Sequence, residues 1–196
     1  MRMFLAAAAL ALAALAGPAQ AASVRPLTLD QLIDQSTTVI EATAVANRSE
    51  RDEKTGFIVT YTTFAVKDVL KGTAEKTHVI KQIGGVVPGE GMAYKVSGIP
   101  KFTEGQDYVV FLAGVSTIGF SSPIGLGQGR FMITRGADGA KVSNGRDFRS
   151  MTAGTDNLVL PPATAKALAT ATVPVPQMGL DEFKQLVRGH LGRAQQ

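Results

Sequence analysis

Two histidines, sixteen carboxylates and neither cysteine nor tryptophan are the reactive stock of this 196-residue chain. Without cysteine there are no disulfides, thiol nucleophiles or thiolate metal sites. His78 and His190 stand far apart, no H-E-x-x-H surrounds either, and a dispersed Ser-His triad would have to recruit one of them. No serine lies in G-x-S-x-G or has a lysine three positions on, so the usual serine-hydrolase signatures are missing. Asp138 in "GADGAKV" lacks the alternating acids of a calcium loop, and the expectation is neither metal nor cofactor. Glu90, Glu104 and Asp107 are the acids that could form a general acid/base pair for glycoside chemistry, although no tryptophan offers a sugar-stacking platform.

The stretch "QIGGVVPGEGMAYKVSGIPKF", Gln82 to Phe102, holds five glycines and two prolines ahead of the apolar run "YVVFLAG". Gly84 and Gly89 have the spacing of a phosphate loop, but Glu90 stands where its lysine must be, and a carboxylate there repels phosphate. "GLGQGR" begins as a dinucleotide fingerprint and ends in Arg130 before a strand, where that motif needs a third glycine opening a helix. The glycines and prolines therefore read first as geometry, bending and turning the chain between strands. Gln82, Gly84, Gly85, Gln128 and Arg130 are the candidate binding residues, on the expectation that strand pairing brings the glycine-rich loop beside Gln128 and Arg130.

The elements that must position these residues are mostly strands. "LTLDQLIDQS" offers Thr28 and Gln31 as a capping box, with Leu29, Leu32 and Ile33 on one face of a short helix. "TTVIEATAVA" and "GFIVTYTTFAVKDVLKG" form a hairpin around the solvated, charge-compensated turn "NRSERDEK", with Phe64, Val66 and Leu70 on one strand face. "THVIKQIGG", "MAYKV", "DYVVFLAGV" and "GRFMITRG" continue the strand series, and Asp138-Gly139 turns into a short return strand. Strands without intervening helices predict a mainly β fold, an antiparallel barrel or sandwich of OB or netrin-like type over 22–150. Residues 151–178, rich in Ala, Thr and Pro, predict an extended linker or strap. An amphipathic C-terminal helix is expected over 179–192, carrying Leu180, Phe183, Val187 and Leu191, with a tail at 193–196. His78 and His190 read as surface or end-capping residues.

Arg2, the apolar run Phe4 to Ala16, the Gly17-Pro18 break and Ala19-Gln20-Ala21 spell a signal peptide over 1–21, cleaved after Ala21. The run of 13 apolar residues is short of the ~20 that a spanning helix needs. The expected location is the periplasm or the exterior. Twenty Lys and Arg against sixteen Asp and Glu, without a basic cluster, argue against a nucleic-acid partner. Phe57, Tyr61 and Lys67 are the one aromatic and basic combination that an OB-type nucleic-acid surface could use.

Leu70-Lys71-Gly72, Gln82 with Gly84-Gly85, Pro100, Phe102 and Gly105, and Gln128-Gly129 with Phe131 form a pattern. It resembles an uncharacterised group of exported bacterial proteins, from Leu27 to about Ile133. The layout is also similar to netrin-like and other OB-type barrels, which would imply a protein-binding or inhibitor module. The functional expectation is an exported, non-enzymatic binding module, with a protein partner preferred over a small ligand. The alternatives are an exported hydrolase using paired carboxylates, an OB-type nucleic-acid binder, or a structural envelope component.

Overall fold

A computed structural model describes residues 24–89, 91, 93–155 and 158–193. The signal peptide read at 1–21, its cleavage point after Ala21, Glu90 and residues 194–196 of the tail lie outside the described residues. The chain runs α1 (Leu29–Gln35), β1 (Thr38–Arg51), β2 (Ile58–Lys71), β3 (Thr77–Ile83), β4 (Gly85–Val86), β5 (Ala93–Tyr94) and β6 (Asp107–Leu112). A 3-10 turn (Leu126–Gly129), β7 (Arg130–Gly136), β8 (Gly139–Ser143), α2 (Phe148–Thr152), α3 (Pro162–Thr170), β9 (Met178–Gly179) and α4 (Leu180–Arg193) follow.

Seven strands pair antiparallel in the order β3-β2-β1-β6-β7-β8-β9, and β4 pairs with β5 in a separate ribbon. The fold is mainly β, and the sheet is open. At its β3 edge the Ser121 N–H donates to Lys81 O at 3.0 Å, which joins that edge to the loop after β6 without making a further strand.

Alternation along β6 sorts the core into two. Val109 and Phe111 face the helices, with Phe131 of β7, Phe148 of α2 and Phe183 of α4, all fully buried. Phe131 and Phe183 sit 4.8 Å apart at their ring centroids, and Phe111 meets Phe183 edge-on at 6.0 Å. Tyr108, Val110 and Leu112 face the other way, against Ile40, Phe64, Ile80 and Phe102. Phe102 packs edge-on to Phe64 at 4.9 Å and to Tyr108 at 5.1 Å, so one loop ring closes this second core.

Several expectations change on inspection. Phe64 and Val66 belong to the second core but Leu70 to the helical one, because register shifts in the β1–β2 pairing invert the alternation between them. The "NRSERDEK" stretch is a solvated turn only at its end: β1 continues through it to Arg51, opposite Ile58, and the turn begins at Glu53. Asp52 is buried, its Oδ2 2.5 Å from Lys81 Nζ, so its compensating charge comes from β3. The segment 151–178 contains α3, which starts at a Pro at its first helical position and buries Leu168 in the helical core. It is a packed strap, not an extended linker. His190 is 5% exposed, with Nε2 2.7 Å from Asp34 Oδ1 of α1, so it joins two helices within the protein. His78 is partly buried at the start of β3, where burial lowers its pKa.

Among the described residues no helix is long and apolar enough to cross a membrane, and no group of three or more His, Asp or Glu could hold a metal ion.

Candidate functional site

A concavity of about 650 Å³ opens between the strand ends of β1, β2 and β3 and the segment that runs from Ile83 to Phe102. The sheet supplies one wall: Asn47 and Ser49 from β1, Thr60 and Thr62 from β2, Gln82 from β3. Asn47 pairs with Thr62, Ser49 with Thr60, and Thr60 with Gln82 across the ladders, so five polar side chains form one contiguous stripe.

Most of that stripe satisfies itself. Thr62 Oγ1 donates to Asn47 Oδ1 at 2.7 Å, and Asn47 Nδ2 donates to Phe102 O at 2.9 Å. Thr60 Oγ1 donates to Gly84 O at 2.6 Å, which makes Ser49 the donor in the 2.8 Å Ser49–Thr60 bond. Gln82 is the exception. It is 3% exposed and its Nε2 has no hydrogen-bond partner, a condition that costs free energy while it lasts.

The opposite wall is apolar, with Val86, Tyr94, Val96, Ile99, Pro100 and Phe102, and the exposed Lys95 and Lys101 stand at its rim. Among the described lining residues there is no carboxylate.

The Gly84-Gly85 step builds this arrangement. Gly84 has φ +97°, and its N–H donates to Ile58 O at 2.8 Å, ending the β3 ladder. A Cβ on Gly85 would lie 2.5 Å from both Ser49 Oγ and Thr60 Oγ1, so only glycine lets the chain cross the polar stripe this closely. From there β4 and β5 pair as a ribbon that overhangs the cavity.

The five sequence-level candidates divide. Gln82, Gly84 and Gly85 line the cleft, whereas Gln128 and Arg130 line a shallower depression of about 470 Å³ on the other side of the 96–101 loop. Gln128 Oε1 accepts from Leu27 N and Arg146 Nη1, both at 2.8 Å, while its Nε2 donates to Arg25 O at 3.0 Å. It clasps the segment leading into α1. Arg130 Nη1 donates to Lys101 O at 2.6 Å, holding the cleft's loop from behind, and its Nε is buried without a partner. Asn47, Ser49, Thr60 and Thr62 were missed in the sequence, although N-x-S and T-x-T at period two are the signal of an inward polar face.

Of the acids considered for catalysis, neither Glu104 nor Asp107 lines the cleft. Glu104 Oε1 accepts from Asn47 N at 2.7 Å. Burial alone would raise Asp107, but hydrogen bonds from Lys67, Thr43 and Arg135 outweigh it and hold the carboxyl down at about 2. Lys67, the cation considered for nucleic acid, is thus engaged at 2.6 Å with Asp107. No protein-family model matches the chain, and no curated protein matches it.

Proposed function

We propose that this is an exported, non-enzymatic binding module of the periplasm or cell exterior, whose occupant enters the cleft between the β1–β3 strand ends and the 83–102 segment. The observation that carries the reading is a ligand-sized concavity with an apolar wall and a hydrogen-bonded polar wall. General acid/base chemistry would need a carboxyl with a raised pKa in the cleft, and Asp107 is depressed and ion-paired instead.

A second reading, a protein partner that inserts an apolar side chain, is favoured by Val86 and Tyr94. These ribbon residues are 58% and 44% exposed and extend the apolar surface beyond the cavity.

Fluorescence titration with the neutral apolar probe N-phenyl-1-naphthylamine tests the site. Wild-type protein should bind it saturably. Ser97→Trp, which places an indole in the cleft from an exposed loop position, should lose that binding while keeping its circular dichroism spectrum. Equal binding by both proteins, or none by the wild type, would overturn the reading.

A further inference from the structure

The cleft's chemistry narrows what it holds. Its polar stripe is almost fully engaged in internal hydrogen bonds, so an occupant meets few competing groups there. Gln82 Nε2 has no partner, but it is sealed from solvent, so an occupant does not reach it as the side chain stands. A carboxylate buried deep in the cleft is a poor match, because a charge taken from water needs a counter-charge beside it and the strand wall supplies none.

Charge is found at the rim. Lys95 and Lys101 line the mouth, both are exposed, and neither ammonium group is hydrogen-bonded or ion-paired to another described residue, although the Lys101 backbone oxygen accepts from Arg130. Several other cations are already spent: Lys67 on Asp107, Lys81 on Asp52, and Lys184 of α4 on Glu41 and Asp68. Two uncommitted ammonium groups beside a described lining without a carboxylate favour an anionic end group on whatever enters.

We infer that the occupant is an amphiphilic organic acid: an apolar body against Val86, Val96, Ile99 and Phe102, and an acid group left at the rim with Lys95 and Lys101. This rests on the cleft-binding reading and adds its ligand class.

Three probes that share one chain and differ in end-group charge test this: N-dodecanoylglycine, its methyl ester, and N-dodecanoylethylenediamine. They are anionic, neutral and cationic, and each is used below its micelle-forming concentration to displace N-phenyl-1-naphthylamine from the folded protein. The anion should displace at a concentration about tenfold below the cation, as two exposed charges allow, with the ester between them. Lys95→Glu/Lys101→Glu should reverse that order. Equal displacement by the three probes, or an order unchanged by the double lysine variant, would overturn the acid group while leaving the cleft reading in place. Failure of the wild type to bind the naphthylamine would instead remove the cleft reading itself.

Discussion

Gly85 is the residue on which the cleft most depends, because its missing side chain is what lets the ribbon lie against Ser49 and Thr60. Gly85→Ala should lower stability by about 1–3 kcal/mol in urea unfolding, since its methyl group meets two hydroxyls engaged on either side and its backbone at φ +149° suits glycine. Gly136→Ala, at a position with nothing within 4 Å and no strained φ, should change stability by less than about 0.5 kcal/mol. Equal losses in the two variants would show that close approach at Gly85 has no special weight. The glycine pair was legible in the sequence as a bend, and that geometric reading describes it well. What a single strand pattern could not reveal was the partner across the bend. Ser49 and Thr60 lie far from Gly85 in sequence and meet it only through the pairing of β1, β2 and β3.

At the scale of elements, α4 is held to the sheet by an apolar stripe and by an ionic network of three acids and four bases. Lys184 Nζ lies 2.6 Å from Glu41 and 2.5 Å from Asp68, and Arg188 Nη2 reaches both oxygens of Asp68 at 2.8 Å. Arg135 joins Asp107 at 2.9 Å to Glu41 at 3.7 Å, and Lys67 completes the set on Asp107. Burial opposes the charged form of Asp68 as well, yet its pairing with Lys184 and Arg188 leaves its carboxyl below the ordinary value. A depressed carboxylate contributes stability that is present above its unfolded value of 3.8 and lost as pH falls through the folded value, about 2 for Asp107. Asp107→Asn should therefore be less stable than the wild type at neutral pH and should lose less stability on acidification between pH 4 and 2. Parallel acid limbs in chemical unfolding of the two proteins would contradict that. The helix was legible from its apolar spacing, and its acidic first turn and basic last turn agree with the dipole. The network was not, because Glu41, Asp68, Asp107 and Lys184 come from four elements, and the register shifts that set which side chains share a face leave no mark on local periodicity.

Seen whole, the molecule gives its two sheet faces different work. One face is sealed by four helices around the Phe111, Phe131, Phe148 and Phe183 cluster, which leaves little room for a ligand. The other is closed at one end by Phe102 and remains open at the strand ends, where the ribbon overhangs the polar stripe. A mainly β chain with a terminal helix at either end was legible from strand spacing and capping residues. Whether the sheet closed was not, because closure depends on how the β3 edge meets the loop after β6, a contact made by Ser121 and Lys81 from distant parts of the chain. The central claim is that ligands enter the open face and not the helical one. Amide chemical-shift mapping with N-phenyl-1-naphthylamine tests this directly, since its rings shift nearby resonances. The account predicts saturable shifts concentrated at Gln82 to Val86 and Tyr94 to Phe102, with the α4 amides unmoved. Shifts concentrated on α4 and α1, or no saturable shift anywhere, would contradict it.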